Sequence, residues 1–351
     1  MVSLRSTIAL FLFLSASTGS AGILGNYDEV FVFGDSFSDG GNVALALGPV
    51  AREVAPYPDL FPSLVPNLPY DVSDRFSNGP IWADMIGLGP SLAGGTNFSF
   101  AGAETGPLPG VTPVPGEVSI LQQVTDHFIP SLGGGTASAD ALYVVAPVGN
   151  DIRRALEVFA GTYMNEILFG SGNPAIAQGL AELASADTLI ASVTNVATIV
   201  GSLAAVGATD FLVFGGADIG LVPAVTLLDS PELPASLIAT MLSANYNLLL
   251  DQVLATLSLD IKRLDLFALI NQIVADPGAF GLANVSDSCI VPDAGACANP
   301  DEYFFWDGIH LTTAGQHILA DAIRAAVPVP ATMLLLLIGL AGFARSARRS
   351  T

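Results

Sequence analysis

Phe31-Val-Phe-Gly-Asp-Ser-Phe-Ser-Asp-Gly-Gly-Asn42 is the stretch on which the reading of this chain turns. Glu29-Val-Phe-Val-Phe33 is a short run rich in β-branched and aromatic residues, the pattern of a buried strand. It stops at Gly34-Asp35-Ser36, after which Ser38, Asp39, Gly40, Gly41 and Asn42 supply turn and helix-cap chemistry. A strand that ends in this way hands one hydroxyl, Ser36, to the carboxyl edge of a sheet, where open α/β sheets bind ligands. A serine hydroxyl alone is a poor nucleophile at neutral pH. It needs a base, a carboxylate that orients the base, and donors for an oxyanion. Asp35…Asp39-Gly40 also has a faint calcium-loop spacing, but Phe37 takes a ligand position and no glutamate closes the loop.

Outward from this turn the strand pattern recurs at residues 96–100, 141–148, 210–214 and 260–266. The first three of these runs break at Ala101-Gly102, Gly149-Asn150-Asp151 and Gly215-Gly216. Helical patterns lie between and after them, at residues 119–128, 174–206, 231–257 and 313–326, and proline-rich loops at 52–70 and 107–116. Five strands alternating with helices predict an α/β fold, a three-layer α/β/α sandwich around a five-stranded parallel sheet. No repeat or linker divides residues 22–326, which read as one domain.

The chain has 351 residues, of which 51% are hydrophobic, enough for a substantial core. Its 32 acidic residues outnumber the 11 basic ones, Lys262 is the single lysine, and the net charge is −21. That balance excludes nucleic acid as a partner and excludes a basic patch for anionic membranes. Both ends read as addresses. Arg5 precedes an apolar run at residues 7–16 and small residues through Gly19-Ser20-Ala21, so residues 1–21 are predicted to be a signal peptide. Residues 327–351 open with Val327-Pro-Val-Pro-Ala-Thr332, continue through an apolar segment at 333–344, and end with Arg345, Arg348 and Arg349. A helix of that length reaches about 20 Å, short of the ~30 Å hydrocarbon core. The expectation is an exported protein of the cell envelope or medium, held transiently by this segment. In such an oxidising compartment Cys289 and Cys297 are expected to pair.

Late in the chain, Asp307-Gly-Ile-His310 places a carboxylate three residues ahead of an imidazole. The carboxylate can hold one ring nitrogen, which leaves the other to take the proton of Ser36. The other two histidines, His127 and His317, have no adjacent acid motif and read as structural residues on helices, His317 buried in the helix periodicity. Gly102 and Asn150, at strand ends, can present a backbone N–H and a carboxamide N–H, which with the N–H of Ser36 make a three-donor oxyanion hole.

Taken in order, Gly34-Asp-Ser36, Gly102, Gly149-Asn150-Asp151 and Asp307-x-x-His310 resemble the four blocks of the SGNH, or GDSL, hydrolases. Arg75-Phe-Ser-Asn-Gly79, Asn97-Phe-Ser-Phe-Ala-Gly-Ala103 and Phe305-Trp-Asp-Gly-Ile-His-Leu-Thr312 are similar to the plant-type and secreted bacterial lipase/esterase branch. The resemblance implies a flavodoxin-like fold and no metal or cofactor. It also implies Ser36 as nucleophile, His310 as base, Asp307 as its partner, and Gly102 and Asn150 as oxyanion donors. The segment 216–223 is implied to be a structural loop. The tail resembles bacterial PEP-CTERM sorting segments, with Val329 where glutamate is usual, and so implies an envelope sorting protease as partner. The implied activity is hydrolysis of a carboxylic ester of a lipid, small molecule or glycan. A carbohydrate O-acetyl esterase, an acyltransferase and a catalytically silent envelope binding module remain open alternatives.

Overall fold

The computed structural model describes residues 24, 27–47, 74–109, 118–291 and 295–327. The expected signal peptide, the proline-rich loop at 52–70, most of the loop at 107–116 and the sorting tail beyond 327 lie outside the described residues. The chain opens with β1 (Glu29–Gly34), α1 (Asn42–Leu47) and α2 (Trp82–Met85). A helical segment at 120–131 leads to β2 (Ala141–Ala146), α3 (Asn150–Phe169) and α4 (Pro174–Ala205). Then follow β3 (Asp210–Phe214), α5 (Ala235–Leu254), β4 (Ile261–Leu264) and α6 (Leu266–Ala275). A short parallel pair, β5 (Asn284–Ser288) with β6 (Tyr303–Phe305), precedes the closing helix α7 (Thr313–Ala326).

The main sheet is parallel throughout, in the order β1-β2-β3-β4. All six residues of β2 are buried, as expected for a strand flanked by strands and covered on both faces. On one face Phe128 of the helical segment sits 5.0 Å from Phe31, 5.3 Å from Phe33 and 5.8 Å from Tyr143, ring centre to ring centre. On the other, Trp82 of α2 packs 5.7 Å from Phe214, and α7 packs against α2 and β4. Alternation along each strand thus feeds two apolar layers. Pro174–Ala205 is long and apolar enough to cross a membrane. Its buried stripe, however, including Ala177, Ala181, Leu189, Val196, Val200 and Leu203, is consistent with a core helix packed on α3 and α5.

Among the described residues the sheet has four strands, and the fifth expected run, 96–100, is not one of them. Residues 96–100 do run beside β1, with Val32 N–H to Thr96 O at 3.1 Å, Phe98 N–H to Val32 O at 2.7 Å and Phe100 N–H to Gly34 O at 3.2 Å. They form a single parallel bridge there, Val32 with Asn97, rather than a ladder. The reason lies on their outer side. Asn97 exchanges backbone bonds with Gly89 and Ser91, and its Nδ2 donates to Ser38 O at 2.6 Å. Asn42 Nδ2 donates to Asn97 O at 2.8 Å and Ser99 O at 3.0 Å, while Asn42 Oδ1 accepts from Leu92 N–H and Ser91 Oγ. Loop contacts and one buried asparagine therefore hold the segment, and they bend it toward the Ala101-Gly102 turn. The helix expected over 231–257 begins at Ala235, and the β5–β6 pair has no counterpart in the sequence reading.

Asn42→Ala removes four hydrogen bonds from a fully buried position; Asn97 O keeps the N–H of Ser91, but Ser99 O and Leu92 N–H lose the side chain that bonds them. The expected loss is about 2–4 kcal/mol of unfolding free energy in chemical denaturation. A loss below about 1 kcal/mol would contradict this account of the edge segment.

Candidate active site

β1 ends at Gly34, whose peptide group is gripped on both sides by Gln123: its N–H donates to Oε1 at 2.9 Å and its carbonyl accepts from Nε2 at 2.8 Å. Two residues on, Ser36 sits in the turn with only 3% of its surface exposed. His310 Nε2 lies 2.9 Å from Ser36 Oγ, and His310 Nδ1 lies 2.7 Å from Asp307 Oδ2. The other carboxylate oxygen, Asp307 Oδ1, accepts the N–H groups of Ile309 at 2.7 Å and His310 at 2.6 Å. The loop that carries the pair is fixed at both ends. Thr312 caps α7 and donates to Tyr303 O at 2.6 Å, and Gly308 O accepts from Ala224 N–H at 2.9 Å. The rings of Phe76 and Phe37 flank the imidazole at 5.3 and 5.8 Å. Burial pushes the Asp307 carboxyl up, but the adjacent imidazole and the hydrogen bonds from His310 and Ile309 outweigh it and hold the group below the usual range.

Two further turns meet the serine turn. Gly102 adopts φ +83°, a left-handed conformation suited to glycine, and neither its N–H nor that of Ser36 donates to a protein group among the described residues. Asn150 is the first residue of α3, and Nδ2 donates to Ala103 O at 3.0 Å. It is not the helix cap, because that position belongs to Gly149 and no side chain caps it.

The structure shows a set of buried carboxylates to which the sequence assigns no part in the site. Asp35 Oδ1 accepts from Phe37 N–H at 3.0 Å and Oδ2 from Val148 N–H at 2.9 Å. Asp39 binds the N–H groups of Gly41, Asn42, Val43 and, at 2.9 Å, Ala101, so both its oxygens are spent on backbone. Asp151 accepts both the N–H of Thr105, at 3.0 Å, and its Oγ1, at 2.6 Å. Burial pushes each of these three carboxyls from 3.8 up to about 6 against the pull of their donors. The signal for them was present, since Asp35 and Asp39 bracket Ser36 and Asp151 follows Asn150.

His127 and His317 take no part in the cluster. His127 lies 5.8 Å from the Phe100 ring, and His317 is exposed on α7 rather than buried as its periodicity suggested. Cys289 and Cys297 are paired, with Cα atoms 4.9 Å apart, and pack against Trp306, the residue before Asp307.

Against known proteins, residues 30–323 match the family described as GDSL-like lipase/acylhydrolase, and residues 326–349 match the PEP-CTERM protein-sorting motif. The chain belongs to the GDSL-like lipase/acylhydrolase family, a family of carboxylic ester hydrolases. Among curated proteins of Arabidopsis thaliana it is 28% identical to GDSL esterase/lipase EXL2, over 83% of this chain and 86% of that one. It is 25% identical to GDSL esterase/lipase At5g22810, over 83% of this chain and 87% of the relative. A third relative, anther-specific proline-rich protein APG, is 25% identical over 81% of this chain, which spans 58% of that protein's length. The C-terminal motif indicates export and envelope sorting in bacteria.

The buried carboxyls set a pH dependence of stability. A carboxyl held at about 6 in the fold and near 3.8 when unfolded keeps its proton longer in the native state, so it stabilises at low pH. That contribution is lost as pH rises through about 6, and is worth up to about 3 kcal/mol per group. Asp307, lowered, works in the opposite sense, but its contribution is lost only as pH falls below its ordinary range. The melting temperature should therefore rise as pH is lowered from 7 to 5, and Asp151→Asn should flatten that slope. A melting temperature that falls over the same interval would contradict the assignment.

Proposed function

We propose that this chain is an exported serine esterase or lipase that works through an acyl-enzyme. The contact from Ser36 Oγ to His310 Nε2, continued from Nδ1 to Asp307, is the observation that carries the reading. Nε2 accepts the hydroxyl proton as Oγ attacks the ester carbonyl, and the Asp307 carboxylate stabilises the imidazolium that results. The N–H groups of Ser36 and Gly102 and the second Nδ2 hydrogen of Asn150 receive the oxyanion. Collapse expels the alcohol, which takes the proton from Nε2. Water, deprotonated by the same nitrogen, then releases the acid and restores Ser36.

Counted with residues 96–100 outside β1, the strand order becomes the 2-1-3-4-5 of flavodoxin-like sheets, which supports a five-stranded SGNH architecture. Residues 22–326 form the hydrolase domain in this reading, and 327–351 a segment for an envelope sorting protease. The Cys289–Cys297 bridge fits an oxidising compartment.

Steady-state kinetics on p-nitrophenyl esters from acetyl to palmitoyl, with wild type, Asn150→Ala and Asn150→Asp, test the proposal. Turnover is expected from wild type. Asn150→Ala should lose on the order of 10²–10³ in kcat with little change in KM, because the donor acts on charge that develops only in the transition state. Asn150→Asp should be at least as impaired, since it puts an acceptor where a donor is required. Turnover of acetyl esters alone would point to deacetylation, absence of turnover on every ester to a silent binding module, and an active Asn150→Asp enzyme would remove Asn150 from the oxyanion site.

A further inference from the structure

Three turns, distant in sequence, meet at Ser36, and the carboxylates on either side of that serine each reach across to a different one. Asp35 Oδ2 accepts from Val148 N–H at 2.9 Å, two residues before Asn150. Asp39 Oδ2 accepts from Ala101 N–H at 2.9 Å, the residue before Gly102. The two outlying turns are then tied to each other, by Asn150 Nδ2 on Ala103 O at 3.0 Å and by Asp151 on Thr105. Both flanking carboxylates are almost wholly buried, at 2% and 0% exposure. A capping carboxylate needs no such burial. Asp39 also holds Gly41, Asn42 and Val43 at the start of α1, but its bond to Ala101 and that of Asp35 to Val148 join segments more than sixty residues apart, with separations of 62 and 113.

We propose that Asp35 and Asp39 are positioning residues for the ester-hydrolysing step: each fixes one oxyanion-donor turn, Asp35 that of Asn150 and Asp39 that of Gly102, to the turn that carries Ser36. The proposal rests on the oxyanion assignment made above. Neither carboxylate transfers a proton or touches the substrate. Their work is to keep the donors at the place where the oxyanion forms, and a displacement of about 1 Å there costs on the order of 10²-fold in rate.

A double-mutant cycle on kcat for a p-nitrophenyl ester tests it. Asp35→Asn is expected to lower kcat about 10–100-fold, less than outright loss of a donor, with KM within about twofold of wild type. In an Asn150→Ala background the same substitution should cost under about threefold, because the group it positions is already gone. Equal fold-losses in the two backgrounds would overturn the positioning role while leaving the oxyanion reading in place. Wild-type kcat in Asn150→Ala alone would instead remove the oxyanion reading and this role with it. If Asp35→Asn does not fold, Asp39→Asn carries the test: a fall in kcat at unchanged KM supports the role, and a lowered melting temperature with kcat intact overturns it.

Discussion

Backbone N–H groups held by buried carboxylates are the constraint on which this site depends. The mechanism proposed above brings together a nucleophile at residue 36, donors at 102 and 150 and a base at 310, from segments that share no local structure. The parallel sheet does the coarse part, because it delivers the ends of β1 and β2 to one edge in fixed register, Gly34 beside Ala146. The fine part falls to side chains. Gln123 clamps the Gly34 peptide, Asp35 and Asp39 reach to the neighbouring turns, and Asp307 holds two N–H groups of its own loop as well as the imidazole.

That design has a cost in stability. Taking a carboxylate out of water is unfavourable, and Asp35, Asp39 and Asp151 all show it in raised affinity for a proton. The surrounding core offsets this. Phe33, Tyr143, Phe211, Phe214 and Trp82 are among its largest fully buried side chains, and both faces of the sheet are covered. Stability is spent close to the reacting atoms and recovered at some distance from them, a distribution seen where strain or buried polarity serves function.

Much of this could be read from the sequence. The strand-turn at 29–36, the Asp307-x-x-His310 spacing and the helix over Thr313–Ala326 carry strong local signals, and the structure places Ser36, His310 and Asp307 in one hydrogen-bonded row. At residues 96–100 alternation reports the pleat of the segment but not its partners. What decides their state is Asn42 and the 89–91 loop on the outer side, and neither is visible in the periodicity. A related limit holds at His317: a helix period fixes which residues share a face, but not which edge of that face meets solvent. Asp39 reads as turn and cap chemistry and Asp35 only as part of the break after the first strand; the bonds to Ala101 and Val148 require the fold to bring those turns alongside.

The central claim is that Ser36 is the residue that becomes acylated, and peptide mass spectrometry after treatment with a fluorophosphonate tests it most directly. The account predicts a single adduct, on Ser36, formed by the folded protein and absent from Ser36→Ala. An adduct on another residue, or labelling that persists in Ser36→Ala, would contradict it.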